Sequence, residues 1–398
     1  METVGSIVLY LIMLSAFIGC IYSIFKPHHE IGKQFINGID SIGSIFLPVA
    51  GIMASAPYLT YFVKLYISPL FSVMGADPSI AATTIIAIDM GGYNLAFDLA
   101  LTKENFINAI MCGYMSGATI VFSIPVALKM LNKSDRPYLA LGAMSGFLTI
   151  PIGVLVSSCI IMISDIRVRS VISTVGPSEY LLNMEFTQIL SNLIPLVIVC
   201  LLIFFGLLYI PQKMIRGFIL FGKVMESSLK LIFVLSVIEY FTGVCSYIFG
   251  SWGFEPIIAD EKDINRALEI SGYIGIMLCG AFPMVYIIKT YLHNSLSRIG
   301  RVFNLSSDAT AGILAASANI LALFAMIKDK KPEDKVKTIA YSICGAFLIG
   351  DHLAFTANFQ PNLILPVLIG KFIAACLAVF IASKIAVPRI EISNDHTD

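Results

Sequence analysis

"TQILSNLIPLVIVCLLIFFGLLYI", residues 187 to 210, runs for the thickness of a membrane without one charged side chain. Crossing the hydrocarbon of a bilayer takes about 20 apolar residues in a helix, and lipid offers no partner to an unpaired backbone N–H or C=O. A run this long is a membrane helix, because a barrel strand needs only about half the length. The same ruler, carried outward, gives about eleven candidates: near 4–25, 42–66, 79–98, 106–130, 138–164, 187–210, 229–250, 270–292, 308–327, 338–359 and 362–387. The expected fold is an all-α polytopic integral membrane protein of about eleven helices, within a range of 10 to 12.

Composition points the same way. Of the 398 residues 57% are hydrophobic and 13% charged, with 26 basic against 26 acidic side chains. Residues 1–398 read as a single transmembrane domain whose surroundings are the lipid bilayer. No dense basic tract is present to follow a phosphate backbone, so nucleic acid is not an expected partner. The eight cysteines all fall inside apolar runs without metal-ligand spacing, and they read as small core residues. No nucleotide-binding Gly-x-x-x-x-Gly-Lys-Ser/Thr motif occurs. Neither a metal nor a cofactor is expected.

Orientation follows from Lys and Arg in short loops. Basic residues gather after the fourth candidate (Lys129, Lys133, Arg136), the sixth (Lys213, Arg216, Lys223) and the eighth (Lys289, Arg298, Arg301), which predicts a cytoplasmic N-terminus. The stretch KDKKPEDKVK, 328 to 337, then falls outside. That conflict implies that one segment is re-entrant or miscounted.

Laid on itself at an offset near 224, the chain carries a faint repeat. Gly51-Ile52-Met53 meets Gly275-Ile276-Met277, Pro137 meets Pro361, Gly146 meets Gly370 and, with small insertions, Asp89 falls near Asn319. This predicts two five-helix halves, 1–165 and 225–390, joined by the linking helix 187–210, with sites at their interface.

An ionisable residue inside a membrane helix costs about 2.5 to 3.5 kcal/mol on insertion scales, so each needs a reason. Lys64, Lys129, Lys289 and Lys371 fall nearer segment ends, where snorkelling accounts for them. Asp89, Asp351, His352 and Glu239 lie in mid-segment. The two aspartates share a pattern, Asp89-x-x-x-Tyr93-x-x-x-Phe97 and Asp351-x-x-x-Phe355-x-x-x-Phe359, which on a regular helix sets each acid on one face with aromatic rings. A carboxylate beside aromatic faces suits an organic cation. Helical spacing of aromatics is also what ordinary packing produces, and an intramembrane acid also pairs with lysine or caps a break.

Gly91 and Gly92 weaken the helix beside Asp89 and are the expected break, the alternative being close helix packing. His352 points about 100° away from Asp351 around a helix, and with Glu239 it is a candidate proton relay or a hydrogen-bonded structural residue.

"AIDMGGYNLA" (87–96), "SGATIVFSIPVAL" (116–128), "SDRPYLALG" (134–142) and "GDHLAFTANFQPNLILPVLIGK" (350–371) together resemble the ethanolamine-utilization permease family of bacteria. The resemblance implies a multi-pass protein of the bacterial cytoplasmic membrane that assists ethanolamine uptake. It also implies a functional link to the ethanolamine-degrading microcompartment enzymes, without implying direct contact. Ethanolamine is mostly an ammonium at neutral pH, the charge that Asp89 and Asp351 suit, with Tyr93 and Phe355 as aromatic walls and Asn94, Thr356 or Asn358 as hydroxyl partner. A transport protein rather than an enzyme is expected. The alternatives are a cation/proton antiporter or a permease for another small organic amine.

Overall fold

A computed structural model describes residues 2–291, 305–328 and 330–390. Two long antiparallel helices form its axis: α1 (Glu2–Phe25) leads into α2 (Glu30–Ala54), whose start is capped by His29. The next segment, α3 (Ala56–Val73), bends by 110° into the short α4 (Pro78–Ile85). A 3₁₀ turn (Ile88–Met90) then leads to α5 (Gly92–Leu99). Next come α6 (Lys103–Met130), α7 (Lys133–Met162), α8 (Phe186–Tyr209), α9 (Pro211–Thr242), α10 (Val244–Phe249) and α11 (Ala267–Tyr291). The chain closes with α12 (Ser307–Ala318), α13 (Ile320–Met326), α14 (Pro332–Gly345), α15 (Asp351–Phe359) and α16 (Pro361–Arg389). The only strands among the described residues, Arg167–Val168 and Tyr180–Leu181, pair antiparallel within the loop after α7.

Among the described residues seven helices are long and apolar enough to cross a membrane, eight if the bent pair α3–α4 is one span. The protein is a helical polytopic membrane protein, and the shortfall from eleven has a physical cause. Of the four expected spans that are missing, 229–250 is divided at Gly243 and 338–359 between Gly345 and Asp351, while 79–98 and 308–327 are hairpins. In the first, Asp77 caps α4 by accepting from the Ser79 N–H at 2.9 Å and also accepts from the Leu101 N–H, just past α5, at 3.0 Å. In the second, the Lys330 ammonium beyond α13 donates to the Asp308 carbonyl at the start of α12. Each hairpin therefore returns to the end from which it entered, although its length and apolarity are those of a span.

The hairpins enter from opposite ends. The mouth of the first lies beside the start of α6, where the Asn192 amide donates to Asn105 Oδ1 at 2.9 Å and accepts from the Asp77 N–H at 2.8 Å. The polar loops 165–186 and 251–266 belong to this loop end, joined by Asn265 Nδ2 donating to the Ile172 carbonyl. At the far end of α6, Asp135 forms a buried 2.7 Å ion pair with Lys335, and Asp334 accepts from Ser306, the cap of α12. This basic end also carries Lys129, Lys133 and Arg136.

Orientation changes with the hairpins. Gly38 of α2 packs on Cys279 of α11 and Ile42 on Gly275, so the two helices run antiparallel. Since α11 begins at the loop end, α2 begins at the basic end and the N-terminus of α1 lies at the loop end. With basic residues facing the cytoplasm, the N-terminus is on the opposite face from the one expected, because counting 79–98 as a span shifted the parity by one. The 328–337 stretch, expected outside, joins the other basic loops. Arg298 and Arg301 lie outside the described residues.

Candidate functional site

Both hairpins are broken at their tips. Between α4 and α5 the chain leaves helical geometry at Ile86 and Ala87, and Gly91 adopts φ +92°, the left-handed region that favours glycine. The Gly92 N–H closes this turn on the Ala87 carbonyl at 3.0 Å. Between α12 and α13 the break is Asn319 alone, extended at φ −155°, with Oδ1 accepting from the Leu321 N–H at 2.8 Å.

A second element crosses each tip. Gly117, in the π-helical stretch Gly113–Ser123 of α6, lies so close to the first tip that a Cβ would stand 2.2 Å from the Ile86 oxygen. Ser116 Oγ donates to the freed Thr84 carbonyl at 2.7 Å. At the second tip the crossing element is the break between α14 and α15. A Cβ on Gly350 would stand 1.9 Å from the Ala318 oxygen, and the Phe347 N–H donates to the Ala316 carbonyl at 3.0 Å. Phe347 itself has φ +58°. Freed backbone groups are thus satisfied by the crossing partner, which is what permits broken helices inside a membrane.

The tips and crossings enclose a cavity of about 450 Å³. Asp89 from the first tip, Asn319 from the second, and Asp351 and His352 from the start of α15 all line it. Asp89 Oδ1, Asp351 Oδ1 and His352 Nδ1 are buried without a hydrogen-bond partner. The aromatic walls are Phe122, Phe282 and Phe347, with Asn37, Ser41 and Ser44 of α2 on one side. A second cavity of about 380 Å³ shares Asn37, Phe282, Asn319 and Leu321 and continues past Gln34 toward the basic end. A third, of about 630 Å³, lies at the loop end around Met53, Asn94, Asp98 and Arg266. Between it and the central cavity Ile52 is wedged against Gly91, and Val49–Ala54 are buried.

The sequence candidates divide. Asp89 and Asp351, far apart in the chain, meet in one cavity, with His352 beside them. Tyr93 and Phe355 instead pack together at 5.5 Å in a ring cluster with Phe106 and Phe359, and the Tyr93 hydroxyl accepts from Gln360 Nε2 at 2.9 Å. For Tyr93 the break at Gly91 is the reason: Asp89 precedes the helix that carries Tyr93, so regular spacing no longer sets them on one face, whereas Phe355 shares α15 with Asp351 and still packs into the ring cluster. Asn94 lines the loop-end cavity. Thr356 Oγ1 donates to the His352 carbonyl at 2.6 Å and lies 2.7 Å from the Tyr114 hydroxyl. Asn358 is buried and gives its carbonyl to Arg169 Nη1, while its Nδ2 has no partner. Glu239 accepts from the Ser246 N–H at 3.0 Å, tying α9 to α10 apart from the cavity.

Two residues were not singled out by spacing. Lys371 does not snorkel: it is 1% exposed, and its Nζ donates to the Tyr114 carbonyl at 2.8 Å, within Coulombic range of Asp89 and His352. It lies well inside α16 (Pro361–Arg389) and not near a segment end as expected. Arg169, in the loop after α7, donates to the Asn358 and Phe359 carbonyls and so fastens the C-terminus of α15. Burial draws its pKa below the usual guanidinium value.

Asp89 and Asp351, each with a buried oxygen that lacks a hydrogen-bond partner, share this cavity with three aromatic rings, a combination whose chemistry suits a small organic cation. Residues 4–385 match the family described as "Ethanolamine utilisation protein, EutH". The chain is 34% identical over 386 residues to a Listeria monocytogenes protein named "Probable ethanolamine permease EutH", covering 96% of this chain and 95% of the relative. An Escherichia coli protein of the same name is 35% identical over 377 residues, 92% of this chain and 88% of the relative. The Bacillus subtilis protein "Uncharacterized protein YxeR" is 33% identical over 343 residues, 86% and 84% of the two chains. No solved structure matches. With the match covering nearly the whole chain, this protein belongs to the EutH family of ethanolamine utilisation proteins.

Proposed function

We propose that this chain is a permease, not an enzyme, that takes up ethanolamine as the protonated ammonium across the bacterial cytoplasmic membrane. The observation that carries the reading is the convergence of Asp89 and Asp351 on one cavity, each with a buried oxygen that no protein group satisfies. A buried carboxylate without a partner is costly, and a desolvated ammonium satisfies it through a charge-assisted hydrogen bond. The names of the relatives supply a cargo of that charge. Ethanolamine delivered inside feeds the ethanolamine-degrading microcompartment enzymes, a link of function and not of contact.

Movement rests on the two halves, 1–165 and 225–390, with 187–210 as the linking helix. In support, each half supplies one hairpin, from opposite ends, and one crossing element that meets its tip through a glycine: Gly117 on Ile86 and Gly350 on Ala318. Inverted halves of this kind expose a midplane site alternately to the two faces. In the present state the cavity continues toward the basic end and is closed by Ile52 and Gly91 toward the loop end.

The test is uptake of labelled ethanolamine into proteoliposomes by wild type, Asp89→Asn and Asp351→Asn. Saturable uptake by wild type and its loss in both variants support the reading. Absence of saturable uptake by correctly inserted wild type overturns it, and proton movement driven by metal ions without any response to ethanolamine would favour an antiporter.

A further inference from the structure

We propose that Asn319 is the residue that selects the hydroxyl of the substrate, donating from Nδ2 to the substrate oxygen while the aspartates hold the ammonium. This rests on the functional reading above. Asn319 is the tip of the second hairpin, as Asp89 belongs to the tip of the first, and both line the same cavity. The side chain is fixed from behind, because Oδ1 accepts from the Leu321 N–H at 2.8 Å as the cap of α13. An amide locked by its oxygen must present its nitrogen, a donor only, on the remaining side. No described residue accepts from that nitrogen.

Other candidates for the hydroxyl are committed or misplaced. Thr356 already donates to the His352 carbonyl and is hydrogen-bonded with the Tyr114 hydroxyl, and Asn94 lines the loop-end cavity. Ser41 and Ser44, on the wall formed by α2, donate to the Gly38 and Ser41 carbonyls of their own helix. Asn37 is exposed at the junction of two cavities and makes no hydrogen bond that would fix its amide. His352 also lines the cavity, but no hydrogen bond sets its ring, so among the described residues of the wall Asn319 is the donor fixed in place, and a fixed donor discriminates because an analogue without the hydroxyl leaves it unpaired.

The experiment is competition for equilibrium binding of labelled ethanolamine to the purified full-length protein by unlabelled ethanolamine and ethylamine. Wild type favours ethanolamine by about tenfold or more, the value of one hydrogen bond. In Asn319→Ser a hydroxyl keeps the helix cap but withdraws the amide donor; ethanolamine weakens about tenfold, ethylamine holds its affinity, and the preference disappears. Asn319→Ala does the same, and Asn37→Ala leaves the preference intact. An unchanged preference in both Asn319 variants overturns the inference, as does its loss in Asn37→Ala instead. Binding without uptake defeats the permease reading while the preference still decides the role of Asn319. Absence of any binding by wild type defeats both.

Discussion

Gly350 and Ala318 meet backbone to backbone: any Cβ on Gly350 would stand 1.9 Å from the Ala318 carbonyl oxygen. The contact locks the α14–α15 break onto the tip of the second hairpin, and Gly117 against Ile86 does the same for the first. The cavity exists because these four strands of backbone pass so closely.

Gly350→Ala and Gly117→Ala are each expected to cost about 3 kcal/mol or more, since only backbone could move aside. Gly43 of α2 is the control. Nothing lies within 4 Å of its would-be Cβ, so Gly43→Ala should be neutral or stabilise by up to about 1 kcal/mol. Thermal unfolding in detergent compares the three.

Just past the second hairpin, the start of α14 is tied to the start of α7 through Lys335 and Asp135, whose side chains are 10% and 7% exposed. Removing one partner strands a buried charge, so Asp135→Asn or Lys335→Met alone should destabilise by about 3–5 kcal/mol, whereas Asp135→Leu with Lys335→Met should cost less than either. A double-mutant cycle measures the difference.

Hairpins in place of two spans set the sidedness. Cysteines introduced at Lys133 and Lys331 should react only with cytoplasmic reagents, and a tag ahead of Glu2 should be reached from outside intact cells. A tag protected in intact cells would restore the eleven-span count.

Lys371 is buried with its Nζ on the Tyr114 carbonyl, and in the proposed site its positive charge would oppose an incoming cation. Lys371→Met should fold as well as wild type, because an apolar side chain of similar length fills the space without a desolvated charge. Its affinity for ethanolammonium should rise by up to about tenfold, equivalent to ~1.4 kcal/mol, as read by equilibrium binding. Weaker binding would mean that Lys371 holds the site together.

Much of this was legible in the residues, for physical reasons that also set the limit. Apolar length located most of the segments, but 42–66 straddles the end of α2 and 229–250 the end of α9, and a span and a re-entrant hairpin have the same composition, so 79–98 and 308–327 looked alike to 187–210. The cost of a carboxylate in lipid singled out Asp89 and Asp351, and that cost is independent of fold. The aromatic walls escaped because Phe122, Phe282 and Phe347 come from three separate elements, so no spacing connects them. The Lys328–Lys337 conflict was the one trace of the second hairpin left in the sequence, and the near match of Asp89 with Asn319 was the trace of its tip.

The most direct measurement is equilibrium binding of labelled ethanolamine to purified wild type, Asp89→Asn, Asp351→Asn and, as a control outside the cavity, Tyr93→Phe. A buried charge-assisted hydrogen bond contributes about 1.5–3 kcal/mol, so each aspartate variant should bind at least ~10-fold more weakly while Tyr93→Phe binds like wild type. Wild-type affinity in both folded aspartate variants would contradict the cation site.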